Sequence, residues 1–277
     1  MMRGGLLEYV RKLEKLDKKG RRREIIARLR EAGIEPAIQQ CRWLGVNNIV
    51  ADLAPADTPA RILFTAHYDT RHGSPGANDD ASGVAVLMGL CLELTGRGKP
   101  VRIVFFDREE AWFHTPVLRL GLLGSICYVM KVDLKSVELV YNLEFCGNGD
   151  TLAVWPVRSN LRQHNSVEFV ERAARRLSLK FSEGYVPWYI ISSDHLPFRR
   201  RGIDAVTLSM LPETAIIGLK SAFSSKSLTR FMRPRSSWPG PLSVIHTQND
   251  DSTRLDESTL QKTLALTKEL INLSSDK

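Results

Sequence analysis

Apolar runs of strand length recur along the chain: VNNIVADLA from Val46, ARILFTAHYD from Ala60, VRIVFFD from Val101, VELVYNLEF from Val137, TLAVWPV from Thr151 and DAVTLSM from Asp204. Between several of them the pattern changes to a helical period. Residues 82–94 are apolar nearly all round, which predicts a buried helix that Asp80 or Ser82 can cap. SVEFVERAARRLSL, residues 166–179, is amphipathic, with Val167, Val170, Ala174 and Leu177 on one face. The end of the chain reads LDESTLQKTLALTKELINL, where Leu260, Leu264, Leu270 and Ile271 form a core-facing stripe. Residues 1–44 read as an N-terminal helical segment. The least regular stretch, residues 211–240, is rich in Ser, Arg and Pro and is expected to be a long loop, either a lid over a site or a mobile insertion.

Strands alternating with helices predict an α/β chain, a single domain over residues 1–277 with a mostly parallel, twisted mixed sheet flanked by helices. Ligands in such folds gather outside the carboxyl ends of the strands. The ionisable groups follow that rule. His67 and Asp69 end one strand, Asp107, Glu109 and Glu110 end the next, and Glu144 ends another, so separate strand ends would converge on one crevice.

Composition narrows the class. The 277 residues are 43% hydrophobic and 25% charged, ordinary values for a globular chain, which exclude a disordered or fibrous protein. The four cysteines, Cys41, Cys91, Cys127 and Cys146, are scattered, form no CxxC pair and sit in apolar contexts. They read as buried free thiols of a reducing compartment. No stretch has the length of a membrane span, the N-terminus lacks a signal-peptide pattern, and a cytoplasmic location is the default. The formal charge of +8 and pI near 9.4 would suit an anionic partner. Yet the basic clusters at Lys18–Arg23 and Arg199–Arg201 have no interleaved aromatics and match no nucleic-acid motif, so no nucleic-acid partner is expected. One arginine of the second cluster could instead face a substrate carboxylate.

The candidate chemistry lies in TAHYDTRHGSPGANDDASG, residues 65–83. A lone buried carboxylate costs several kcal/mol, roughly, unless something pairs with it, and a divalent cation is one such partner. In chain order the candidate ligands are His67, Asp79, Glu110, Glu144 and His246. Imidazole and carboxylate without thiolate suit a catalytic zinc or a similar ion. Five donors exceed the need of one catalytic ion; with Asp79 spanning two, each ion receives three protein ligands.

AHYDT, PGANDDASGVA, FFDREEAW, GLLGS, YNLEF, SSDHLPFRRRGI and HTQNDD occur in the order found in the co-catalytic zinc aminopeptidases, and the chain resembles that family over roughly residues 45–273. The family includes bacterial leucyl aminopeptidases and is related to glutamate carboxypeptidase and glutaminyl cyclase. The resemblance implies a zinc-exopeptidase, phosphorylase/hydrolase-like fold, peptide substrates and two zinc ions, with cobalt or manganese as possible substitutes. It implies that His67 and Glu144 complete one zinc, Glu110 and His246 the other, and Asp79 bridges them. Glu109 would be the general base, and Asp69 would orient the His67 ring, in keeping with strand residues two apart facing one side. Asp194 and His195 would lie beside the site as supporting or substrate-orienting groups, and the Asp79–Asp80 peptide bond would be cis.

Two positions depart from the family pattern: Glu144 stands where many members have aspartate, and Arg108 where glycine is frequent. Related di-zinc carboxypeptidases and deacylases use glutamate at the first of these, so the direction of exopeptidase attack stays open. Parts of FFDREEAWFHTPV and HTQNDDSTRLDEST resemble glutaminyl cyclases, which have the same fold with one zinc. A scaffold that keeps the fold without turnover is the non-enzymatic alternative. Tyr68, Trp112, Phe113, Trp188 and Tyr189 are candidates for an apolar pocket, while His72, His114 and His164 read as structural or surface residues.

Overall fold

The structure, a computed structural model, describes residues 4–54, 58–110, 113–114, 119–158, 165–187, 193–224, 238 and 240–275. Trp112, His164, Trp188, Tyr189, the Phe113 and His114 side chains, and residues 225–237 and 239 of the expected lid lie outside the described set.

The chain begins with helices α1 (Gly5–Leu13) and α2 (Lys18–Glu31), followed by strands β1 (Ala37–Cys41), β2 (Val46–Asp52) and β3 (Ile62–His67). Helix α3 (Ser82–Leu94) leads to β4 (Val101–Phe106), to the two-residue strands β5 (Phe113–His114) and β6 (Arg119–Leu120), and to α4 (Leu123–Lys131). Next come β7 (Leu139–Leu143), β8 (Thr151–Arg158), α5 (Asn165–Arg176), β9 (Lys180–Glu183) and β10 (Val186–Pro187). The last elements are α6 (His195–Arg200), β11 (Asp204–Leu211), α7 (Glu213–Ser224) and α8 (Glu257–Ser275).

Nine strands form one sheet, in the order β1-β2-β4-β3-β7-β11-β8-β10 with β9 alongside β8. The four central strands β4, β3, β7 and β11 are mutually parallel, and antiparallel pairs join β1 to β2, β2 to β4 and β11 to β8. This is the expected mostly parallel mixed α/β sheet.

The two-residue period of a strand explains how both faces are covered. Ile62, Phe64 and Ala66 of β3, with Ile103 and Phe105 of β4 and Tyr141 of β7, join a core built with α1, α2, α3, α5 and α8. Leu63, Val104, Phe106 and Val140 point the other way, onto Tyr128 of α4 and Phe198 of α6. Burying each such side chain is worth about 1.5–3 kcal/mol. Helix α3 runs through the larger core, and its Gly89 allows α1 and α8 to close on it: a Cβ there would stand 2.9 Å from Leu6 Cδ2 and 3.2 Å from Leu264 Cδ2.

Three expectations need correction. Residues 1–44 are not helical throughout, because Ala37–Cys41 forms an antiparallel edge strand; with Ala37, Ile38 and Gln40 exposed it carries no apolar run to reveal it. The stretch 211–240 is not a loop from its start, because Glu213–Ser224 is helical and buries Ala215, Ile216 and Leu219 on one face. Cys41 and Cys127 are not free thiols but form a disulfide across a sequence separation of 86, whereas Cys91 and Cys146 are free and buried. Disulfides persist in oxidising surroundings, so the cysteines no longer argue for a reducing compartment. Among the described residues no helix is long and apolar enough to cross a membrane.

Candidate metal centre

Three parallel strand ends assemble the site. The β3–β4 register pairs His67 with Phe106, immediately before Asp107, Arg108, Glu109 and Glu110. The β3–β7 register pairs Thr65 with Asn142 and, carried two residues on, aligns Glu144 with His67. Asp79 comes from the turn before α3, and the peptide bond between it and Asp80 is cis. Asp80 Oδ1 accepts a bond from Gly83 N at 3.1 Å, so this aspartate caps the helix while its neighbour faces the site.

Asp79 stands between the two histidines. His67 Nε2 lies 3.1 Å from Asp79 Oδ1, and His246 Nε2 lies 3.2 Å from Asp79 Oδ2 and 2.6 Å from Glu110 Oε1. One donor atom each from Asp79, Glu110 and His246 falls within 4.8 Å of the others. Glu144 is held differently: its Oε1 accepts bonds from Ser193 Oγ at 2.7 Å and Asn142 Nδ2 at 3.2 Å. It is not part of that close triad, though its charge interacts with Glu109, His67 and Asp79.

Burial makes these charges consequential, since Asp79, Glu109, Glu110 and Glu144 are each at most 7% exposed. Burial acts to lower the His67 pKa, but hydrogen bonding to Asp69 and Asp79 and the charge of Glu109 outweigh it and hold the ring well above its usual range. Burial is likewise overcome at His246, which Asp79 and Glu110 raise to about 9. Burial would raise Asp79, yet bonding to His246 and His67 takes it below the carboxylate range. Glu144 is pushed well up, first by burial and then by Glu109. Carboxylates outnumber imidazoles here, and the buried Glu110 Oε2 has no hydrogen-bond partner among the described residues. Excess buried negative charge, convergent oxygen and nitrogen donors and an unpartnered carboxylate oxygen fit a divalent cation held without thiolate.

The Asp69 carboxylate has a different main contact from the one expected. Its Oδ1 and Oδ2 accept the backbone N–H groups of Glu109 and Glu110 at 3.0 and 3.2 Å. His67 Nδ1 lies 3.1 Å from the Asp69 main-chain carbonyl and 3.6 Å from Asp69 Oδ1. Asp69 therefore positions the two glutamates at least as directly as it does the ring.

Asp194 and His195 are buried beneath this layer. Ser125 Oγ donates to Asp194 Oδ1, and burial raises the Asp194 pKa to about 7. His195 Nδ1 lies 2.8 Å from Thr207 Oγ1, which contacts the same Ser193 Oγ that donates to Glu144. Asp107 faces away, bonded to Asn47 N at 2.9 Å and paired with Lys18 at 2.9 Å. Tyr68 belongs to the core, donating to Asn47 O at 2.8 Å. Arg199 pairs with Asp204 at 3.5 Å. The place where glycine is frequent is explained by the backbone: Arg108 has φ 58°, in the left-handed region that glycine enters most easily.

Several supporting residues carried no assigned role in the sequence reading. Asp250, four residues after His246, accepts the backbone N–H groups of Asn78 and Asp79 at 2.9 and 3.3 Å. Asn142 and Ser193 brace Glu144. All three lie within quoted motifs, Asp250 in HTQNDD, Asn142 in YNLEF and Ser193 in SSDHLPFRRRGI, and could have been noticed there.

Comparison with known proteins follows this geometry. The pattern of peptidase family M28 matches residues 48–271. Aminopeptidase YwaD of Bacillus subtilis (strain 168) is 35% identical over 162 residues, which cover 53% of this chain and 31% of that protein. The chain thus spans under a third of that relative's length. Among solved structures, BSAP, a zinc aminopeptidase from B. subtilis, superposes with TM-score 0.60 at 24% identity, over 82% of this chain and 50% of that one. Porphyromonas gingivalis glutaminyl cyclase gives TM-score 0.73 at 20% identity, over 98% of this chain and 97% of that one. At these identities the structural likenesses speak for the fold.

Proposed function

The chain belongs to peptidase family M28, and on that premise we propose that it is a metal-dependent aminopeptidase that hydrolyses the N-terminal peptide bond of peptides at a pair of zinc ions. The carrying observation is the buried convergence of Asp79, Glu110 and His246 within 4.8 Å, with Asp79 also contacting His67. Glu110 and His246 would hold one ion, His67 and Glu144 the other, and Asp79 both. Bound zinc supplies Lewis acidity toward a carbonyl oxygen and makes water a nucleophile near neutral pH.

The chain's own groups do the rest. Glu109, buried and electrostatically linked to His67 and Glu144, takes the proton of the attacking water and delivers it to the leaving amine. Asp69 fixes Glu109 and Glu110 through their backbone N–H groups, so the base and the adjacent ligand share one anchor. Asp250 performs the same service for Asp79. Burial of Asp79, Glu109 and Glu110, each at most 7% exposed, strengthens each of these interactions.

Aminoacyl p-nitroanilides assayed with zinc, cobalt and manganese test the reading. Metal-dependent release of p-nitroaniline supports it, and no hydrolysis with any of the three overturns it. A second reading, a cyclase acting on N-terminal glutamine with one ion, draws on the same triad, since Asp79, Glu110 and His246 already make the three-ligand complement of a single catalytic zinc. One bound ion together with ammonia release from a glutaminyl peptide would favour it; two ions and peptide-bond cleavage favour the aminopeptidase.

A further inference from the structure

Arg21 is a charged residue from α2 that is only 1% exposed. It has a distinctive set of partners: among the described residues every hydrogen bond of its guanidinium goes to a main-chain carbonyl. Nε donates to Leu13 O at 3.0 Å, Nη1 to Tyr68 O at 3.5 Å, and Nη2 to Pro75 O and, at 3.4 Å, to Gly76 O. Leu13 is the last residue of α1, and its carbonyl also accepts the Leu16 backbone N–H at 3.0 Å. Tyr68 directly follows His67, and Gly76 begins the turn that delivers Asp79. A single planar fork therefore holds both ends of the segment 68–76, the stretch of chain that separates one candidate zinc ligand from the next.

We propose that Arg21 is a positioning residue for the metal centre: by gripping both ends of the 68–76 segment it sets the spacing of His67 and Asp79, and with it the affinity for zinc. This rests on the assignment of those two residues as ligands. A merely structural arginine, stitching α1 to α2, would need the Leu13 contact alone. The contacts to Tyr68, Pro75 and Gly76 join residues 47 to 55 apart in sequence and all lie on the segment leading from His67 to Asp79. The charge has a part as well. The carboxylates of Asp69, Asp250, Asp80 and Asp79 all bear on the guanidinium, although none is hydrogen-bonded to it. Arg21 thus contributes a fixed positive charge beneath a site dominated by carboxylates, without competing for any ligand oxygen.

The test measures zinc affinity by competition with a chromophoric chelator in the full chain, for the unmodified protein, Arg21→Gln, Arg21→Lys and the control Leu29→Ala. Leu29 is fully buried on the same helix, and its side chain has no donor with which to hold the segment's carbonyls. Groups that orient metal ligands typically govern affinity by about 10–100-fold. Arg21→Gln is expected to weaken zinc binding within that range, and Arg21→Lys, which keeps charge but cannot span the segment, by an intermediate factor. Leu29→Ala is expected to lower the melting temperature while leaving affinity unaltered. A loss under about threefold in Arg21→Gln relative to Leu29→Ala, well short of that range, overturns the proposal. If Arg21→Gln does not fold, Arg21→Lys is judged by the same threshold. Failure of both to fold at saturating zinc also overturns it, because the arginine would then serve the fold as a whole. Absence of zinc binding by the unmodified protein would instead count against the metal-centre assignment, so the two failures are distinguishable.

Discussion

The two halves of the candidate centre are built on different plans. Around Glu110 and His246 the donors meet each other: three atoms converge within 4.8 Å, and the ligand-to-ligand contacts are as short as 2.6 Å. Around Glu144 the donor is instead tied to the scaffold, its Oε1 held by Ser193 and Asn142, and that pair connects through Thr207 to His195. In the proposed assignment Asp79 belongs to both, and it contacts His67 as well as His246. The contrast shows that one half gains its geometry from mutual attraction of unlike charges, which a cation between them would replace, while the other is preset by neutral hydrogen-bond donors that no cation displaces. Affinity and stoichiometry should therefore respond separately to changes on the two sides.

Asp79→Asn removes the shared member and is expected to eliminate both halves together, with turnover falling to the assay floor and bound zinc lost. That loss exceeds the ~10–100-fold typical of a residue that supports a ligand, and steady-state rates with parallel metal analysis check it. Glu109→Gln should lower kcat by about 10²–10⁴-fold while bound metal stays unchanged, because only the proton carrier is gone. Ser193→Ala acts on the scaffold-tied side alone: a roughly 10-fold weaker second zinc is expected with the first unaltered, read by calorimetric titration.

Asp194, bonded to Ser125 and outside both halves, adds a pH dependence of its own. Its folded pKa of about 7 stands above the unfolded value of about 4, so the folded protein retains a proton that the unfolded chain releases. Stability should fall as pH rises from about 4 to about 7, then level off with respect to this group, and Asp194→Asn should remove that slope in denaturant midpoints measured across the interval. The smallest effect is expected at Arg108→Gly. Relief of a left-handed residue worth about 1–2 kcal/mol is largely offset by glycine's greater chain entropy, so stability should change by under about 1 kcal/mol with activity retained.

Much of this arrangement was legible in the chain because its central strands are buried on both faces and read as apolar runs ending in ionisable residues. His67, Asp79, Glu110 and His246 stand together in the structure as the motif order implied, and the cis bond lies where the resemblance placed it. The edge strand β1 escaped because AIQQC has neither a run nor an apolar alternation, and α7 because its short buried face sits beside a Ser- and Arg-rich segment. The supports escaped for a more general reason. Arg21 and Asp250 act on backbone carbonyls and N–H groups, which every residue possesses, across separations of up to 55 and 172 residues. In a local window Arg21 looks like any solvated arginine, and Asp250 is marked only by its place in HTQNDD. The Cys41–Cys127 pairing is hidden in the same way by its 86-residue separation.

Helix α3 begins three residues after Asp79, and eleven of its thirteen residues are buried. The shared carboxylate is thereby moored to a rod enclosed on every flank, and the cost of shifting it would be spread through the packing of α1 and α8. Evolutionary drift in what this protein accepts should therefore accumulate in the outer segments bordering the crevice, leaving the donor atoms where they stand.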